Sequence, residues 1–140
     1  MLADLGESPK VSKEGMNQKA FVSTLEDAPW VRSEQNPGLQ YKLLVDASHA
    51  DTDGFSFGIL KLEPGAELTP HHHDPQESYF ILEGEGFIRL NDAEQGVGPG
   101  SVVYIPRSYL HGITNTGSTP LVFLWTFPTD TWSEVVYHYR

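Results

Sequence analysis

Two stretches decide how this chain reads: Gly65-Ala-Glu-Leu-Thr-Pro-His71-His72-His73-Asp-Pro-Gln-Glu77, closed by Gly84, and Gly100-Ser-Val-Val-Tyr-Ile-Pro106-Arg-Ser108-Tyr-Leu-His111-Gly-Ile-Thr-Asn115. As spacings they are G-x5-H-x-H-x3-E-x6-G and G-x5-P-x-S-x2-H-x3-N. On an extended backbone successive side chains alternate between faces, so His71 and His73 share one face and His72 points away. Asp74-Pro75 breaks the segment with a turn. A strand resuming at Glu77 then puts Tyr79 and Ile81 on the same face as Glu77. Two imidazoles and a carboxylate from neighbouring strands suit a divalent transition metal, because the carboxylate cancels part of its charge and a sheet fixes the geometry. The second stretch can bring in His111 as a fourth donor.

Outward from these stretches the chain is strands and turns. Thirteen Gly and ten Pro punctuate it, as at Asn36-Pro37-Gly38, Pro64-Gly65, Gly84-Glu85-Gly86, Gly96 to Gly100 and Gly117 to Pro120. Between them lie short runs of strand composition: Gln40 to Asp46, Phe55 to Leu62, Ser78 to Leu82, Phe87 to Leu90, Val102 to Ile105, Gly112 to Asn115 and Leu121 to Phe127. Short strands spaced by turn signals predict an all-β sandwich or barrel. Helix is expected only at Ser23 to Ala28, with Ser23 as the cap and Glu26 three residues on, and for one turn near Asp130 to Ser133.

Composition narrows the function. Nine Lys and Arg against 19 Asp and Glu give a net charge of −10 over 140 residues, which argues against nucleic acid or an anionic membrane as partner. The longest apolar runs are about five residues, too short to span a bilayer. No cysteine is present, so disulfides, thiolate metal sites and cysteine nucleophiles are excluded, and any metal must be held by nitrogen and oxygen. Residues 1–15 are polar and lack a secretory signal's basic and apolar regions, so they are expected to form a mobile extension to a barrel over residues 16–140, with the protein in the cytoplasm. Met16 is a possible second start. The strand-like stretch Gln18 to Val22 can pair with a second copy to make a homodimer, or be covered locally.

The paired motifs resemble those of the cupin superfamily, which implies a single double-stranded β-helix, the jelly-roll barrel. The first motif fits the family pattern at every defined position. The second departs from it only at Ser108, where the family usually has glycine, which alters a tight turn and leaves the His111 spacing intact. The resemblance implies that His71, His73, Glu77 and His111 are ligands of one divalent metal; Fe, Mn, Ni and Zn all accept such a set. Asn36 to Asp46 and Phe127 to Tyr137, outside the motifs, resemble the small single-domain cupins that include the dimethylsulfoniopropionate lyases. In those enzymes a metal holds the substrate carboxylate and a tyrosine takes the α-proton, releasing dimethyl sulfide and acrylate. Tyr79 falls where they have that tyrosine, and Tyr137 falls on a second tyrosine of the pocket.

The chemistry also has a physical basis. Elimination beside a carboxylate needs its charge drained by a Lewis acid and a base within reach of the α-carbon. An ordinary tyrosine, with a pKa of about 10, is too protonated for this, and a nearby metal lowers it. A sulfonium cation can be faced by Trp125, Phe127, Tyr104 or Trp132. The expected partner is thus a small carboxylate. Packing remains an alternative for Tyr79 and for at least one of Trp125 and Phe127, and His72, His49 and His138 read as surface residues. Two other readings stay open: a metal-dependent oxygenase or isomerase, and a non-catalytic module that binds a small molecule.

Overall fold

A computed structural model describes the backbone of residues 3–7 and all of residues 18–140. Two antiparallel sheets face each other across one core. The larger is built from β3 (Val31–Arg32), β4 (Leu39–Val45), β5 (Ser56–Leu62), β7 (Glu77–Glu83), β10 (Val102–Ile105) and β12 (Leu121–Phe127), in the order β10-β7-β12-β5-β4-β3. The smaller has β6 (Glu67–His72), β8 (Gly86–Leu90), β9 (Ala93–Val97), β11 (His111–Asn115) and β13 (His138–Tyr139), in the order β13-β6-β11-β8-β9. Apart from the β8–β9 hairpin, sequential strands from β5 to β13 thus alternate between the sheets, which is the jelly-roll barrel that the motifs imply.

The alternation of side chains fills the core. Leu62, Ile81, Ile105, Leu121, Phe123 and Phe127 from the larger sheet are fully enclosed against Ile88 and Ile113 of the smaller. β12 is all β-branched and aromatic apart from its leucines, and its length lets it pair along both β5 and β7. Gly58 on β5 lies opposite Trp125. A Cβ there would come within 2.1 Å of the indole and 2.5 Å of the Lys42 carbonyl, so only glycine leaves the tryptophan its place.

The seven expected strands are all present, with no end shifted by more than one residue. β9 gave no signal because its sequence, Ala-Glu-Gln-Gly-Val, lies on an exposed edge and needs no apolar face. The two short helices are single 3-10 turns, Leu25–Asp27 and Trp132–Glu134. The first is capped at Thr24 and not at Ser23: the Thr24 N–H donates to Asp27 Oδ2 at 2.9 Å, one residue later than the expected pairing. Residues 1–15 fall largely outside the described residues. The part inside, β1 (Ala3–Glu7), pairs with β2 (Lys19–Val22), so one edge of that strand is covered by its own chain. No helix among the described residues is long and apolar enough to cross a membrane.

Asp46, fully buried at the end of β4, anchors the C-terminal segment. Its Oδ1 accepts from the Trp132 N–H at 2.9 Å, and its Oδ2 from the Ser48 N–H at 3.0 Å and the Thr131 hydroxyl at 2.9 Å. Burial works to raise its pKa, but these donors outweigh it and hold the carboxyl below the ordinary range. The stability it contributes is therefore complete above the unfolded-state value of about 4 and is lost as pH falls through the lower folded value. Asp46→Ala should lose roughly 3 kcal/mol or more at pH 7, measured by urea unfolding, because three donors to one charged group go unmet. The loss should shrink toward pH 3, and a pH-independent loss would contradict this account.

Candidate metal centre

His71 projects inward from β6, His73 follows just beyond its end, Glu77 opens β7 and His111 opens β11. The register brings them together: His111 lies opposite His71 across β11 and β6. All four are at most 5% exposed. One ring nitrogen from each histidine lies within 4.8 Å of the others. His73 Nε2 is 3.1 Å and His111 Nε2 3.4 Å from Glu77 Oε1.

The backbone fixes the rings. His71 Nδ1 lies 2.8 Å from the Thr69 carbonyl, His73 Nδ1 2.9 Å from the Pro75 carbonyl and His111 Nδ1 2.8 Å from the Tyr109 carbonyl. A carbonyl only accepts, so each Nδ1 carries the proton and each Nε2 presents a lone pair. Burial, followed by the neighbouring His111, pushes the His71 pKa down to about 3, which keeps its ring neutral. Burial works against charge on Glu77, yet its contacts with His111 and His73 hold its carboxyl below the ordinary value, an attraction that requires positive charge between their Nε2 atoms and the carboxylate, from a proton or a bound cation. Three lone pairs and a carboxylate oxygen therefore face one another. His71 Nε2 and His111 Nε2 have no hydrogen-bond partner among the described residues. A cation shared by these atoms satisfies the cluster, and a divalent transition metal matches its nitrogen and oxygen donors.

Ser108 explains how the second motif keeps its spacing without glycine. Its φ is 60°, in the left-handed region that glycine favours, and its N–H donates to the His73 carbonyl at 2.8 Å. The turn survives, and with it the placement of His111. His72 points outward as expected, but its ring stacks on His138 at 5.0 Å, so these two exposed histidines are companions across β6 and β13.

A cavity of about 380 Å³ opens beside the donors and reaches Glu77, Tyr79, Trp125 and Tyr137. Tyr79, 2% exposed, has a hydroxyl with no partner among the described residues. Burial, then the charge of Glu77, then Tyr137 and Tyr139, hold its pKa well above 10. Tyr137 stacks on His71 at 4.7 Å and meets His73 edge-on at 5.2 Å, and burial and Glu77 raise its pKa likewise.

Two expected pocket residues lie elsewhere. Tyr104 is on the outward side of β10, 59% exposed, and its hydroxyl donates to Gln76 Oε1 at 2.7 Å; the inward side of that strand belongs to Val103 and Ile105. Phe127 is enclosed behind His73, edge-on at 5.2 Å, so it supports a ring of the centre and does not line the cavity. The walls include instead Tyr41, which packs on Trp132 at 5.1 Å, together with Asn36 and Tyr139. Tyr41 sits in an apolar strand and Asn36 in a turn triplet, so neither carries a spacing that marks it. Tyr139 could have been found only from its pairing with His71 across β13 and β6.

Known proteins place this architecture. Over 101 residues the chain is 29% identical to the dimethylsulfoniopropionate lyase DddW of Ruegeria pomeroyi, covering 72% of this chain and 66% of that protein. It is 28% identical over 108 residues to the tetracenomycin polyketide synthase protein TcmJ of Streptomyces glaucescens, covering 76% and 72%. The solved structure of the polyketide cyclase RemF from Streptomyces resistomycificus superposes with a TM-score of 0.73 at 23% identity, covering 84% of this chain and 83% of that one. Residues 58–127 match the cupin domain, and with a jelly roll whose buried histidines converge on one point, the chain belongs to the cupin family.

Proposed function

We propose that this protein is a metal-dependent carbon–sulfur lyase that cleaves dimethylsulfoniopropionate, or a similarly small carboxylate, by β-elimination. The observation that carries the reading is the Tyr79 hydroxyl: buried, without a hydrogen-bond partner among the described residues, and carried by a side chain that lines the same cavity as Glu77. A divalent ion held by His71, His73, Glu77 and His111 would supply Lewis acidity toward a substrate carboxylate and positive charge that lowers the Tyr79 pKa. As phenolate, Tyr79 takes the α-proton on its oxygen. The C–H electrons form the Cα–Cβ double bond, the Cβ–S bond breaks, and dimethyl sulfide leaves with that pair, with acrylate as the other product. Trp125 and the Tyr41–Trp132 pair give the departing sulfonium end an aromatic wall. Tyr137, stacked on His71, closes the other side and holds that ring in place.

The test is headspace detection of dimethyl sulfide from protein loaded separately with Fe(II), Mn(II), Ni(II) or Zn(II). The expected result is dimethyl sulfide and acrylate in equal amounts, unchanged under nitrogen. No release with any metal overturns the lyase reading. The cavity volume then favours a second one, because about 380 Å³ falls in the roughly 300–1,000 Å³ range of pockets for larger ligands. A metal-dependent oxygenase, isomerase or cyclase acting on a bulkier molecule would use the same donors, and an oxygenase would stop under nitrogen.

A further inference from the structure

Asn36 is 3% exposed, lines the cavity, and takes no part in the mechanism above. Its backbone is fixed: its N–H donates to Ser33 Oγ at 3.0 Å, and its carbonyl accepts from the Leu39 N–H at 3.2 Å. Its side-chain orientation is fixed as well. The Thr69 N–H lies 3.1 Å from Oδ1, and the Thr69 hydroxyl donates to the same oxygen at 2.7 Å. A backbone N–H can only donate, so the amide oxygen must face Thr69, and the alternative flip would set donor against donor. The NH₂ group is therefore turned away from Thr69. Among the described residues it has one long contact, Nδ2 to the Tyr139 hydroxyl at 3.5 Å, for two N–H donors. Inside a nearly dry wall this leaves donor capacity unused, which is costly unless a ligand takes it up.

We propose that Asn36 is a specificity residue whose Nδ2 donates to an oxygen of the bound carboxylate ligand. The assignment deepens the small-carboxylate reading and rests on it. The Thr69 carbonyl accepts from His71 Nδ1, so Thr69 holds both the ligand donor and a metal-ligating ring, and one strand sets their separation. This separates the cavity's tasks: the aromatic walls meet the apolar or cationic end of the ligand, and Asn36 selects for an acceptor at the end nearer the metal-binding strand β6. A neutral ether or thioether of the same shape lacks a charged acceptor for it and is discriminated against.

The test is binding of acrylate and propionate to the Zn(II)-loaded full chain, followed by the fluorescence of Trp125 and Trp132, which line the cavity. In Asn36→Asp the Thr69 donors keep their acceptor, and a carboxylate oxygen replaces the NH₂ group. Zinc content should stay at the wild-type level, while the carboxylate Kd rises about 10-fold or more, as expected for a lost hydrogen bond to a charged group. Asn36→Leu, close in shape, removes Nδ2 without adding charge but also takes the acceptor from the Thr69 N–H and hydroxyl, so it is compared only where its zinc content equals the wild type's, and it should then give the same loss should the aspartate variant fold poorly. Equal carboxylate binding by wild type and a zinc-loaded variant overturns the role of Asn36 alone. Binding by neither protein, zinc being present in both, overturns the carboxylate reading and the Asn36 assignment with it.

Discussion

Tyr79→Phe should remove most of the proposed lyase activity, roughly 100-fold or more in kcat, which is the usual contribution of a positioned general base. Its metal content should not change, because the hydroxyl touches none of the nitrogen donors through a hydrogen bond and has no partner among the described residues. Its stability should hold or rise slightly. A buried hydroxyl without a partner carries a desolvation cost that phenylalanine does not, and the ring's packing against Phe123 at 4.4 Å remains. This triple outcome separates a base from a core aromatic. Full turnover in the variant would exclude Tyr79 as the base, and a large fall in melting temperature would indicate that the residue serves packing.

Removing a ligand should act on a different set of measurements. His111→Ala deletes a buried ring whose Nε2 faces Glu77 Oε1 at 3.4 Å and whose Nδ1–H is tied to the Tyr109 carbonyl. Loss of an outer partner of a metal-bound histidine typically costs roughly 10–100-fold in metal affinity, so loss of the ligand itself should cost more than that. Competition with a chromophoric chelator measures it directly. The wild type should also gain stability on metal addition, about 2.7 kcal/mol when free metal is 100 times Kd, and the variant should gain much less at the same concentration. Activity should fall with occupancy. A His111→Ala protein that binds metal as tightly as wild type and turns over would exclude the histidine as a ligand.

The two motifs are legible because they combine local facts. Period-two alternation orders His71, His72 and His73 without reference to anything distant, and the structure follows it: two rings inward, one out. Glu77, Tyr79 and Ile81 share a face for the same reason. Turn chemistry marks most strand ends, and the Ser108 φ of 60° makes clear why a serine can stand where glycine is usual. Tyr104 fails by that same rule of alternation. It is one residue out of phase with Val103 and Ile105, and its aromatic character says nothing about which sheet face turns toward the metal. β9 escapes because an exposed edge strand carries no hydrophobic period.

The sequence by itself determined seven of the strands, the two metal-binding motifs and the side chains that converge on the centre, because each depends on spacing within a single extended segment. Only the tertiary structure decided what surrounds the donors. Tyr41, Trp125, Trp132 and Tyr139 come to one cavity from β4, β12, a 3-10 turn and β13, from positions spread over more than half of the chain. Asn36 is aimed into that cavity only because Thr69, far along the chain, supplies the two donors that fix its amide. Such placements depend on register between strands and on hydrogen bonds closed across the sheets. No local pattern encodes them, since a pairing exists only once both strands are in place.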